Sequence, residues 1–233
     1  MAYKEFLLDD NTPVKIYKSR SSRSLKISLE HNGLVRVTIP AWAPYAAGLK
    51  FALSKKAWIE KHRPTPIILT SGLAIGKNHH LELVASDVKS PKSRIVGNQI
   101  VISYPVAWSP DRIEVQSLAE TASIKALRQQ ATTLLELRLK ELAGQHGFGY
   151  KSLSIKQLKG RWGSCDQDKN IVLNLFLIQL PWECIDYVIL HELIHTKVLK
   201  HGSDFWAEFN KVLPDAKSRQ KKLRGYRPKL FIA

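Results

Sequence analysis

The chain has 233 residues, 44% of them hydrophobic and 24% charged, an ordinary balance for a globular protein of one large domain or two small ones. The best membrane-span candidate, Ile171 to Leu180, is broken by Asn174 and Gln179, the first ten residues carry no signal-like stretch, and Cys165 and Cys184 are too few for a disulfide framework, so a cytoplasmic protein with no membrane partner is expected. A formal charge of +16, from 36 basic and 20 acidic residues, attracts polyanions such as nucleic acid or simply keeps a surface solvated, and no zinc-finger spacing or other nucleic-acid motif decides between the two.

The first part reads as β-rich. Val14 and Ile16, then Leu25, Ile27 and Leu29, then Val35, Val37 and Ile39 alternate with polar residues. That period of two predicts a meander with Asn32-Gly33 as a hairpin turn and Pro40 as its end. A helix is predicted from Pro44 to His62, burying Leu49, Leu53, Trp58 and Ile59. Strands follow at Leu81–Leu83 and Ile95–Ser103, and Trp108-Ser109-Pro110-Asp111 reads as a hinge. The boundary between halves therefore falls between residues 112 and 113.

The second half, 113–233, opens on a long amphipathic helix from Ser117 to Ala143. Ile124, Leu127, Ala131, Leu134, Leu135, Leu139 and Leu142 form its apolar stripe, and Gly144 is its stop. Short strands are predicted at Leu153–Leu158 and Ile171–Phe176. The fold class is α+β: a β-rich N-terminal half, then a helical half of zincin type with a small sheet. From Lys217 to Lys229 seven basic residues occur with no acid after Asp215, which reads as a basic tail.

The most informative run lies between these elements: His191-Glu192-Leu193-Ile194-His195. Residues four apart on an α-helix project from nearly one face, so His191 and His195 can share one metal ion. Glu192, one step round, is offset from ligation and suited to hold the attacking water. The flanking residues Ile185 to Leu190, with Leu193, Ile194, Val198 and Leu199, are mostly apolar. A buried helix with two histidines and a glutamate must satisfy costly polar groups, and a metal does so at once. The pattern predicts a hydrolase with one Zn²⁺ ion and Glu192 as its catalytic acid/base, most naturally a peptidase.

His201 leads as third ligand, with Glu208 and the Cys165 thiolate as competitors. Its spacing matches the metzincin pattern, yet Val198 stands where that pattern needs glycine, and Met1 is the only methionine. A metzincin is therefore excluded. The metal helix is predicted to run on to Lys200, with His201-Gly202 breaking it and Ser203 capping a helix to Leu213.

Several stretches together resemble the YgjP-like metallopeptidase family, related to the SprT-like zinc proteases. They are Gly160-Arg161-Trp162-Gly163-Ser164-Cys165, Leu173-Asn174 with Leu177 and Pro181, Asp186-Tyr187-Val188, the HELIH run, and His201 with Phe205-Trp206. The resemblance implies His191, His195 and His201 as ligands, Glu192 as catalytic acid/base, and a peptide or protein substrate. Arg161 and Tyr187 are the candidates for substrate binding or for stabilising the oxyanion. Around Arg161 an edge strand that pairs with substrate competes with a purely structural reading of Trp162, Gly163 and Cys165. The rival function is a nucleic-acid-associated protein with a structural metal, or a peptidase recruited to DNA-bound proteins by its basic tail.

Overall fold

The structure is a computed structural model that describes residues 3–10, 12–29, 34–62 and 68–230. It is α+β, as the pattern of periods implies, and divides into two compact units, Met1–Ile67 and Ile68–Ala233. Each unit has its own apolar core.

In the first unit, strands β1 (Tyr3–Leu7), β2 (Pro13–Ser19), β3 (Lys26–Leu29) and β4 (Val35–Pro40) lie in the order β1-β2-β4-β3. Strands β2 and β4 are parallel, so the sheet is no meander. The register sets Val14 beside Val35 and Ile16 beside Val37. This places the two most β-branched strands at the centre, where both are covered. Asn32-Gly33 lies outside the described residues. The helix predicted over 44–62 is two helices, α1 (Tyr45–Ser54) and α2 (Lys56–His62), broken at Lys55. Its buried positions are Gly48, Ala52 and Ile59, whereas Leu53 and Trp58 are exposed. A Cβ on Gly48 would stand 2.9 Å from Ile16 Cγ2 and 3.0 Å from Ile39 Cγ2. The absence of a side chain there brings α1 onto the sheet, at the expense of Leu53.

The second unit opens on β5 (Ala74–Ile75), β6 (His79–Ser86), β7 (Lys92–Val96) and β8 (Gln99–Pro105), in the order β5-β6-β8-β7. The strand predicted over 95–103 is in fact a hairpin: Gly97 turns the chain with φ +58° and Ile95 pairs with Ile100. Helix α3 (Ile113–His146) follows, about 50 Å long. It runs past Gly144 and stops at Gly147, whose φ of +66° supplies the left-handed cap. Leu127, Ala131, Leu135, Leu139 and Leu142 are buried as predicted, with Ile124 and Leu134 half-buried.

The buried Gln130 joins this helix to the sheet. Its Nε2 donates to the Ile75 carbonyl (2.9 Å), and its Oε1 accepts from the Lys77 and Asn78 amides (2.7 and 3.0 Å). Because residues 74–105 and α3 share one core, the division falls at 67/68 and not at 112/113. Trp108–Asp111 is a turn inside the unit, with the Arg112 guanidinium 3.9 Å from the Trp108 ring centre.

A three-stranded sheet holds β9 (Ser152–Lys156), β10 (Gly163–Cys165) and β11 (Asn170–Asn174) in the order β10-β11-β9, with β10 at one edge. A 3₁₀ turn (Leu175–Gln179) leads into α4 (Trp182–His195), then α5 (Ser203–Val212) and α6 (Ala216–Leu223). The stretch read as a basic tail is therefore largely helical, and α6 packs on α4. Arg219 pairs with Asp215 and Lys222 with Glu183, each at 2.8 Å. Among the described residues no helix is long and apolar enough to cross a membrane.

Candidate metal centre

Helix α4 is apolar on most of its circumference and lies in the core, with Ile185, Ile189 and Leu193 fully buried. Its polar residues His191, Glu192 and His195 cluster at one end. The helix ends at His195, five residues short of the predicted Lys200. Thr196 Oγ1 donates to the Leu193 carbonyl at 2.7 Å, and the chain turns so that the Val198 carbonyl accepts from His195 Nδ1 at 3.0 Å. The early stop matters for geometry. A helix continued through Lys200 would leave residue 201 roughly 240° round the axis from His195, facing away.

The turn instead returns His201 to the other two histidines. The three Nε2 atoms form a triangle with sides of 3.2 Å (His191–His195), 3.1 Å (His195–His201) and 2.9 Å (His201–His191). They are the metal-capable group among the described residues. His195 commits its neutral ring N–H to Val198, so its Nε2 offers a lone pair. Burial first, then the neighbouring histidines, hold His191 down at about 3, and burial also lowers His195. Both are thus neutral, the form that ligates. Tetrahedral zinc keeps its nitrogen ligands roughly 3.3 Å apart, close to the separations here, so the donor set fits one such ion. Phe205, fully buried, backs all three imidazoles with ring centres 4.7–4.9 Å away.

The competing ligands lie outside this group. Cys165 Sγ contacts the Asp166 carbonyl at 3.5 Å, and burial, followed by the charges of Glu192 and Asp166, pushes its thiol up to about 11. Glu208 is paired with Lys211.

Glu192 is 5% exposed. Burial pushes its carboxyl up to about 8, against the opposing pull of the Arg161 charge. It lies against the backbone of β10: a Cβ on Gly163 would stand 2.7 Å from Glu192 Oε1 and 2.9 Å from its Cγ. The strand is pinned by Asn174, whose Nδ2 donates to the Leu158 and Arg161 carbonyls (2.8 and 2.9 Å). The Trp162 carbonyl also accepts from the Asn174 amide at 2.8 Å.

Beside Glu192 and His191 opens a cavity of about 370 Å³, and both Arg161 and Tyr187 line it. Tyr187 is buried, its ring centre 6.0 Å from His191 and 5.1 Å from Phe209, and its side chain bonds to Gln220. Trp162 and Cys165 are only half-buried. Asn174, Asp186 and Phe205 stand in the stretches that carry the resemblance, but nothing in the sequence pointed to these roles for them: Phe205 behind the triad, the clamp by Asn174, and the Arg138–Asp186 pair. The arginines that line the cavity from the residues after α6 had no signal at all.

No curated protein matches the chain. Among solved structures, it is similar to the metallopeptidase zymogen of Pyrococcus abyssi abylysin, with 26% identity and a TM-score of 0.37 over 42% of this chain and 100% of that one. It is also similar to the metallopeptidase zymogen of Methanocaldococcus jannaschii jannalysin, with 23% identity and a TM-score of 0.36 over 39% and 94%. Residues 23–226 match the YgjP-like metallopeptidase domain, so the chain belongs to the YgjP-like metallopeptidase family.

Proposed function

We propose that the protein is a zinc-dependent peptidase in which His191, His195 and His201 hold one Zn²⁺ ion and Glu192 is the general base and acid. The observation that carries this reading is the convergence of three imidazole Nε2 atoms within 2.9–3.2 Å beside a buried carboxylate in an open cavity. Bound zinc supplies Lewis acidity, acidifying water and polarising a peptide carbonyl. Glu192 accepts the proton of the attacking water and delivers it to the leaving amine. In the metal-free chain burial favours its protonated form, and beside a bound cation it would be drawn back towards the ionised form that accepts a proton. Arg161 and Tyr187, on the same cavity wall, are the candidates to bind substrate or stabilise the developing oxyanion. Strand β10, at its sheet edge, is placed to pair with an extended peptide.

The test is metal content and turnover together. Glu192→Gln keeps stoichiometric zinc and loses peptide hydrolysis by roughly 100- to 10,000-fold. Full activity in that variant would sink the mechanism. A cytoplasmic setting accords with two free thiols, Cys165 and Cys184. The formal charge of +16 favours a second role, recruitment to nucleic acid. Binding that did not weaken with added salt would argue against it.

A further inference from the structure

The cavity beside Glu192 has a chemistry that hydrolysis does not require. Part of its wall comes from α6 and the residues after it, so that Arg224 and Arg227 line it together with Arg161. All three arginines are exposed. Glu192 is the only acidic side chain among the described residues that line the cavity. Among the described residues no carboxylate pairs with Arg224; its Nη2 donates to the neutral Gln220 Oε1, at 3.4 Å. Elsewhere in α6, by contrast, Arg219 and Lys222 are matched with Asp215 and Glu183. Two basic residues of this segment, Arg219 and Lys222, are thus engaged in ion pairs, and two others, Arg224 and Arg227, line the cavity. Leu223, Pro228 and Trp162 add apolar wall beside the charges, suited to the stem of a side chain. A planar guanidinium binds carboxylate bidentately and more specifically than an ammonium does.

We infer that this cavity is a substrate subsite for a carboxylate, formed by Arg161, Arg224 and Arg227, and that the protein selects peptides presenting an Asp or Glu side chain or a free C-terminus next to the scissile bond. The inference rests on the peptidase reading for the word "scissile", but not for the binding itself. A site built for charge-assisted hydrogen bonds discriminates against the amide isostere because its donors are left unmatched.

The test uses the full chain loaded with zinc and labelled octapeptides of neutral background. One Glu or its Gln counterpart is moved position by position, and each peptide is made with a free or an amidated C-terminus. Binding is read by fluorescence anisotropy on Glu192→Gln, and cleavage on the unsubstituted protein. The expected result is at least about 10-fold tighter binding of the carboxylate member of a pair. A gain at one internal position identifies a side chain as the source, and a gain only with the free terminus identifies the chain end. Arg224→Gln and Arg227→Gln bring the ratio towards one, chiefly through KM, whereas Arg224→Lys keeps part of it.

Lys125→Gln removes the same charge from the exposed face of α3 and should leave the ratio intact. Equal flattening by Lys125→Gln would assign the preference to the overall charge and overturn the subsite. Equal binding of Glu and Gln peptides, and of acid and amide ends, would also overturn it. Displacement of the peptide by a single-stranded oligonucleotide at lower concentration than by unlabelled acidic peptide would reassign the cavity to phosphate. Selective binding with no cleavage of any peptide would sink the peptidase reading and leave the subsite in place.

Discussion

Gly163 and Glu192 are in contact where a larger residue would displace the carboxylate: a Cβ at position 163 would lie 2.7 Å from the carboxylate oxygen and 3.0 Å from its carbon. The backbone of Gly163 has no positive φ, so glycine serves space here and not conformation. Gly163→Ala must displace the carboxylate, the movable partner, by a fraction of an ångström or more. The expected outcome is a fall in kcat of roughly 10- to 100-fold with unchanged zinc content. Unaltered kcat would show that the carboxylate position is not critical.

Glu192 also sets a pH dependence of the metal-free fold. Its carboxyl titrates near 8 in the folded chain against an ordinary 4.5, chiefly through burial. The folded state therefore holds a proton that the unfolded chain releases. This contribution is complete below about pH 4.5 and is lost as pH rises through 8. Glu192→Gln escapes the loss. In chelator, its stability relative to the unsubstituted protein rises between pH 5 and pH 9, by on the order of 4 kcal/mol at the limit, and its relative Tm rises with it. Parallel Tm curves across that range would refute the burial argument.

The ligand set is tested by subtraction. His201→Ala reduces bound zinc well below one equivalent at micromolar protein, whereas Cys165→Ser and Glu208→Gln leave it at one. Elemental analysis of the three variants decides the matter. Loss of zinc in the cysteine variant alone would overturn the histidine triad.

Asp186, five residues before His191 on α4, receives two bonds from Arg138 of α3: Nε to Oδ1 at 2.7 Å and Nη2 to Oδ2 at 2.8 Å. This bidentate pair is half-shielded from water, so it counts for more than a surface bridge. Asp186→Asn should cost about 1–3 kcal/mol, a Tm fall of roughly 3–10 °C, with zinc still bound. An unchanged denaturation midpoint would reduce the pair to surface decoration.

Much of the site was legible because it is local. The HELIH run needs only helical periodicity to bring His191, Glu192 and His195 together, and the apolar residues around it announce burial. The stripe of α3 was legible for the same reason. What failed was set by distant partners. Leu53 was assigned to the core, yet Gly48 took its place by letting Ile16 and Ile39 approach. The stop at His195 depends on the Val198 carbonyl turning back, which no propensity encodes. The sheet order β1-β2-β4-β3 reflects a choice between pairings that all satisfy a period of two. Arg224 and Arg227 read as part of a basic tail because nothing in their spacing relates them to a motif some thirty residues earlier. Deleting residues from Lys217 would therefore remove a wall of the cavity as well as charge, so single substitutions are the cleaner test of nucleic-acid binding.

Strand β10 is three residues long. An edge so short gives a visiting backbone only one or two ladder bonds, each with a modest net worth. If substrate pairs with this edge as proposed, a peptide is gripped briefly along its main chain, and its dwell time depends on what its side chains find next to the cut. An enzyme built in this way would work as a sampler: it would try many extended segments, release most of them quickly, and leave discrimination to the off-rate.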